Sequence, residues 1–198
     1  MSGSSPSGIP SLPEIKARLR ADALARRDAL DEGFRAEASA QVAERVLALP
    51  DLKGLQPVGA FWPIRSEIDT LPILDALAAR GQTLCLPVVA KPTMLFRAWA
   101  PGTALVRGGF GVSAPPPEAP VVRPRALLVP LAAFDRQGGR IGYGKGHYDG
   151  AIAALEAEGP LLTIGVAFAA QEVASVPLEP HDRCLDCIVT EADLIRVS

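Results

Sequence analysis

Residues 127–150 constrain this chain more than any other stretch. They begin as an apolar run of strand length, turn at 135–139, and then place glycine at every second position, Gly142, Gly144 and Gly146. Tyr143 and Lys145 alternate with these glycines, and His147, Tyr148 and Asp149 follow at once. Glycines this dense cost backbone entropy. The usual reason to keep them is close approach of main-chain N–H groups to a ligand, most often an anion.

The rest of the chain supplies a scaffold for such a loop. Residues 14–30 carry helical periodicity, with Lys16, Arg20 and Arg27 forming a basic stripe beside the face of Ile15, Leu19 and Ala23. The ordinary reading of that stripe is a solvated face, and the alternative is a partner for the glycine loop's anion. A second amphipathic helix spans 34–49 and stops at Pro50. Strand patterns at 57–62, 83–89, 94–99, 126–131, 161–168 and 186–190 are separated by helical ones at 70–80, with Thr70 as N-cap, and 148–158. Residues 108–124, rich in glycine and proline, read as a surface connection bordering the site. This rhythm predicts a single three-layer α/β domain, a mainly parallel sheet between helices, over 14–198. Residues 1–13, rich in Ser, Gly and Pro, read as a disordered tail.

Composition narrows the functional classes. A net charge of −2 leaves no electrostatic footprint for nucleic acid or an acidic membrane surface, and no apolar stretch is long enough to span a bilayer. The tail lacks the charged-then-apolar pattern of an export signal, so the expected compartment is the cytoplasm. No obligatory protein partner is evident. Cys85 reads as core, and Cys184 with Cys187 makes one C-x-x-C that lacks a second ligand pair for structural zinc.

Two familiar phosphate loops fail here. Lys145 is followed by Gly146 and His147, where a Walker A loop needs Ser or Thr directly after its lysine. A Gly-x-Gly-x-x-Gly fingerprint would end on His147 or Asp149. What remains is a strand, a turn and Gly-x-Gly-x-Gly opening a helix. Its N–H groups, the helix dipole, Arg140 and Lys145 make a polyphosphate cradle. Asp149 either stabilises the helix dipole or binds Mg²⁺ between phosphates, with Asp182 as a second hard oxygen donor. Glu67, in a loop after a strand, suits a ligand presenting paired N–H donors, such as an amino-substituted heterocycle. Trp62 is either core or a stacking platform for that ring.

These residues carry a resemblance. Val129-Pro-Leu-Ala-Ala-Phe-Asp135 followed by Gly139-Arg-Ile-Gly-Tyr-Gly-Lys-Gly-His-Tyr-Asp149 resembles the signature of the 5-formyltetrahydrofolate cyclo-ligase family. Lys16-Ala-Arg-Leu-Arg20, Ser66-Glu-Ile-Asp-Thr70, Leu86-Pro87 and His181-Asp182 fall in the order that family shows. The resemblance implies an ATP- and Mg²⁺-dependent closure of 5-formyltetrahydrofolate to 5,10-methenyltetrahydrofolate, with ADP and phosphate released. The formyl oxygen would take the γ-phosphoryl group, N10 would close the ring, and phosphate would leave.

The resemblance also implies roles. Arg140, Lys145 and Tyr148 would act at the reacting atoms. Lys16, Arg20 and the loop from Arg140 through Ile141, Gly142, Tyr143, Gly144, Lys145, Gly146, His147 and Tyr148 to Asp149 would bind ATP. Trp62, Glu67, Tyr143, Lys145, His147 and Tyr148 would face the folate, and Asp149 and Asp182 would hold Mg²⁺. His147 stands where the family more often has Tyr, and Gly150 where a basic residue is common. Two competing expectations follow: a cyclo-ligase-like nucleotide-binding protein with another substrate or a regulatory role, and a sugar-phosphate isomerase or acyl-CoA transferase with no need for ATP.

Overall fold

A computed structural model describes residues 10–90 and 93–197. Most of the expected tail lies outside them, and helix α1 (Leu12–Asp28) starts two residues before the expected boundary, with Glu14 closing a capping box on Ser11. Next come α2 (Glu32–Leu47), β1 (Val58–Gly59), α3 (Leu71–Ala79), β2 (Leu84–Ala90) and β3 (Thr93–Trp99). Two short strands follow, β4 (Val106–Arg107) and β5 (Ser113–Ala114), then β6 (Ala126–Pro130). A small hairpin, β7 (Ala133–Phe134) and β8 (Arg140–Ile141), leads to α4 (His147–Glu158). The chain ends with β9 (Leu162–Val166), β10 (Cys187–Val189) and β11 (Leu194–Arg196).

Seven strands form one sheet in the order β11-β10-β9-β6-β1-β2-β3. The run β10-β9-β6-β1-β2 is parallel, and the two edges, β11 and β3, are antiparallel to their neighbours. The mainly parallel sheet is therefore as expected. Side chains of a strand alternate between faces, and β6 shows how both faces are filled. Leu128 joins the core made with α2 and α3, including Val42, Val46, Ile73, Leu74 and Leu77. Leu127 and Val129 join the core on the opposite side, with Phe96 and Ile152 of α4. Helices thus cover both faces, the arrangement a parallel sheet requires.

Three local expectations are corrected. The expected strand at 57–62 pairs as a strand only over Val58–Gly59. Thr70 is the N-cap residue of α3, as expected, but its side chain makes no capping bond; its hydroxyl donates to the Phe61 carbonyl at 2.8 Å, tying the helix start to the β1 exit. Arg27 is 1% exposed, not part of a solvated or anion-facing stripe.

Helix α1 does not join the main layers. Its Ala23 packs with Ala133, Ile141 and Val176, against the β7–β8 hairpin. This placement decides the site, because it lays the N-terminal half of α1 across the carboxyl ends of the parallel strands.

Candidate active site

The turn that precedes the glycine loop is built by one buried side chain. The Asp135 carboxylate accepts from the main-chain N–H groups of Gln137 (2.9 Å), Gly139 (2.9 Å) and Val176 (2.7 Å). It folds residues 135–139 back and brings β8 against β7. The chain leaves β8 through Gly142, Gly144 and Gly146 into α4. Gly144 (φ 83°) and Gly146 (φ 65°) occupy the left-handed region that disfavours any residue with a Cβ. Gly146 is the N-cap of α4, and no side chain caps that helix. Its dipole and first-turn N–H groups open onto a cleft of about 670 Å³.

The cleft gathers segments far apart in sequence. Lys16 and Arg20 come from α1, Trp62 and Glu67 from the β1–α3 loop, Pro130 from the end of β6, and Arg140 through Asp149 from the glycine loop. His181 and Asp182 close one side. Every residue to which the resemblance assigns a role lines this one cleft, whereas Arg27 of the basic stripe does not. The connection at 108–124 borders it too, through Gly109 and residues 112–114. Pro87 of the Leu86-Pro87 motif adds an apolar wall together with Val89 and Met94 of the β2–β3 hairpin, two residues that the sequence had not singled out. Trp62 satisfies both of its readings, since it lines the cleft and also packs on the core, edge-on to Trp99 with centroids 5.9 Å apart.

The charges are arranged in pairs. Arg140 donates from Nη2 to Asp149 Oδ1 at 2.7 Å, with side chains 3% and 18% exposed. Burial pulls the Arg140 pKa down, and Asp149 works against that pull. Arg140 Nε is buried without a hydrogen-bond partner among the described residues. Lys16 Nζ donates to Asp182 Oδ2 at 2.5 Å and Glu179 Oε2 at 2.8 Å. Burial lowers the Lys16 pKa, but these two carboxylates outweigh it and hold the ammonium above its ordinary value. Glu179 is a partner that sequence reasoning missed; nothing in its loop distinguishes it from a solvated carboxylate. Arg20 donates from Nε to the Gly142 carbonyl at 2.6 Å, pinning the glycine loop to α1. Lys145 is exposed and pairs with none of the described residues.

At the other end of the cleft, Glu67 accepts from Tyr143 Oη at 2.6 Å and from the Ile64 N–H at 3.0 Å. Burial raises its pKa, against the pull of these bonds and of Arg27 and Arg65. Arg65, in the same loop, sits at φ 55°, a strained position for a residue with a Cβ. Tyr148 lines the same cleft. Its hydroxyl is buried with no hydrogen-bond partner among the described residues, and burial pushes its pKa upward. Buried polar groups without partners are uncommon.

A model of the 5-formyltetrahydrofolate cyclo-ligase family matches residues 13–191. The chain belongs to that family. Its similarity to a 5-formyltetrahydrofolate cyclo-ligase of Escherichia coli is 30% identity over 172 residues, covering 83% of this chain and 94% of the relative. The cyclo-ligase of Mycolicibacterium smegmatis is 30% identical over 190 residues, covering 90% and 94%. Among solved structures, the 5,10-methenyltetrahydrofolate synthetase of Aquifex aeolicus matches with a TM-score of 0.80 and 30% identity, over 92% of this chain and 93% of that one. The matched span, from α1 to the bend after β10, includes every residue that lines the cleft. The chain thus matches the family over all the segments that build the site.

Metal binding can be tested against the donor set. Among the described residues, no group of three or more His, Cys, Asp or Glu side chains is placed to hold a metal ion. Asp149 and Asp182 line the cleft, but each is already paired with a cation. Such a set does not make a cage. It does fit a divalent ion that arrives on phosphates, since Mg²⁺ characteristically takes one or two carboxylates plus phosphate and water oxygens.

Proposed function

We propose that this chain converts 5-formyltetrahydrofolate to 5,10-methenyltetrahydrofolate, consuming ATP and releasing ADP and phosphate. The observation that carries the reading is one cleft that joins the uncapped N-terminus of the glycine-loop helix, with Lys16, Arg20 and Lys145, to Trp62 and the Glu67 carboxylate. The first end suits a triphosphate and the second an amino-substituted ring, with Tyr148 on the same lining.

In this reading the residues divide the work. Lys16, Arg20, Arg140, Lys145 and the N–H groups of the glycine loop bind the triphosphate. Lys16 would exchange its carboxylate partners for phosphate oxygens. Trp62 and Glu67 hold the pterin, one by stacking and one by accepting N–H donors, with Tyr143 and His147 beside them. Tyr148 donates to the formyl oxygen and orients it toward the γ-phosphate. Asp149 and Asp182 would hold Mg²⁺, which supplies charge neutralisation on the phosphates when bound. Phosphoryl transfer is chiefly positioning and charge stabilisation, so the substrate's own formyl oxygen and N10 serve as nucleophiles. Cys85, Cys184 and Cys187 are free thiols, which suits a reducing compartment, and we place the enzyme in the cytoplasm. No helix of the described residues is long and apolar enough to cross a membrane.

The test is the appearance of methenyltetrahydrofolate absorbance from 5-formyltetrahydrofolate, ATP and Mg²⁺. His147, where the family more often has Tyr, favours the second reading, a cyclo-ligase-like protein with another substrate. ATP binding with no folate turnover by well-folded protein would select it.

A further inference from the structure

Arg27 is the largest fully buried polar side chain of the described residues, yet it touches no ligand position directly. It stands one residue from the C-terminal end of α1, in Ala25-Arg-Arg-Asp28, where neighbouring charges stay on the surface. Burying a guanidinium is costly unless it is fully hydrogen-bonded. Its neighbour Arg26 shows what a purely structural arginine does in this setting. Arg26 donates to the main-chain carbonyls of Ala170 (2.6 Å) and Glu172 (3.1 Å) and ties α1 to the loop beneath it. The partners of Arg27 are all side chains instead. Nη1 donates to Tyr143 Oη at 2.8 Å, Nε donates to Ser66 Oγ at 3.0 Å, and Asp28 lies 3.3 Å from Nη2. Ser66 in turn donates to Asp28.

The direction of the bonds matters. A guanidinium only donates, so Tyr143 must accept from Arg27 with a lone pair and give its single proton elsewhere. It gives it to Glu67 Oε1, while the Ile64 N–H holds Oε2. The Tyr143 proton is firmly held, since burial and the Glu67 charge push its pKa up to about 12. Both oxygens of Glu67 are thereby fixed in place, each with a lone pair left for an incoming N–H.

We propose that Arg27 is a positioning residue for the substrate: acting through Tyr143 and Ser66, it orients the Glu67 carboxylate toward the N–H donors of the pterin. The inference rests on the folate reading given above. It joins three segments, α1, the β1–α3 loop and the glycine loop, into one support for the ring end of the cleft. The triphosphate end is supported separately, by Arg20 on the Gly142 carbonyl and by Asp135 in the turn.

The test uses the full chain and three variants, Arg27→Gln, Tyr143→Phe and the double. Calorimetry gives separate affinities for 5-formyltetrahydrofolate and for ATP, and steady-state kinetics give KM for each. Each single variant should weaken folate binding and raise its KM about tenfold, the size of one lost charge-assisted hydrogen bond. ATP affinity should stay within about twofold, and the double variant should lose little more than either single, because both act on one path. A merely structural Arg27 would lower stability and weaken both ligands together, with losses that add. That result, or unchanged folate affinity in folded Tyr143→Phe, overturns the proposal. Tyr143→Phe removes a single oxygen from a partly exposed residue, so it decides the matter even if Arg27→Gln does not fold. If the unmodified chain binds no 5-formyltetrahydrofolate, the functional reading falls and takes this inference with it. If it binds and the variants match it, only the role of Arg27 falls.

Discussion

The Asp149→Asn variant isolates the charge balance of the triphosphate end. Arg140 and Asp149 meet at 2.7 Å with side chains 3% and 18% exposed, and Arg140 Nε has no hydrogen-bond partner among the described residues. Removing the carboxylate charge strands a buried guanidinium. For a fully buried pair, breaking one side costs about 3–5 kcal/mol. Two features reduce that here: Asp149 is partly solvated, and the Asn side-chain oxygen can still accept from Arg140. One feature adds to it, because the first turn of α4 loses an anion that its dipole favours, worth about 0.3–1 kcal/mol. The net expectation is a loss of about 2–4 kcal/mol in urea denaturation of the ligand-free protein. Pairing Asp149→Asn with Arg140→Met should recover part of the loss, since an apolar side chain leaves no orphan charge. A loss below about 0.5 kcal/mol, typical of a solvated surface site, would refute the reasoning.

Three further outcomes follow from the same geometry. Asp135→Ala removes the acceptor of three main-chain N–H groups and should cost about 3–5 kcal/mol by chemical denaturation, with ATP binding lost alongside. Lys16→Met should weaken ATP binding about tenfold or more in calorimetry. It should also remove an alkaline component of stability. Because the folded pKa of Lys16 is raised, its contribution is complete below the ordinary value of 10.5 and is lost as pH climbs through the higher folded value. A variant with the unmodified protein's alkaline profile would contradict that. Lys145→Ala should weaken ATP binding by about 1–3 kcal/mol, more than it weakens folate binding, and equal ATP affinity would remove Lys145 from the phosphate site.

Much of this site is legible before any coordinates. The glycine loop announces itself because positive φ at Gly144 and Gly146 admits few other residues. The order of Lys16, Glu67, the loop and Asp182 is readable because each lies in a short motif. Pairing is harder to read. Helical periodicity puts Lys16, Arg20 and Arg27 on neighbouring faces, but says nothing of what covers each of them. Lys16 meets two carboxylates from residues 179 and 182, Arg20 a carbonyl, and Arg27 a tyrosine hydroxyl. Those fates depend on α1 leaving the helical layers to lie across the strand ends, a tertiary choice with no local signature. The edge strand β11 is missed for a related reason. It is three residues long, and pairing with β10 rather than its own pattern makes it a strand. Thr70 has the right residue type for a cap, yet its backbone is αR (φ −88°, ψ −8°) rather than extended, and its hydroxyl is turned to donate to the Phe61 carbonyl.

The central claim is that the cleft couples ATP to a folate ring closure. Purified protein with 5-formyltetrahydrofolate, ATP and Mg²⁺ should generate methenyltetrahydrofolate absorbance, with ADP formed in equal amount and no product when ATP is omitted. Product without ATP, or ATP binding by folded protein that never yields the methenyl chromophore, would contradict it.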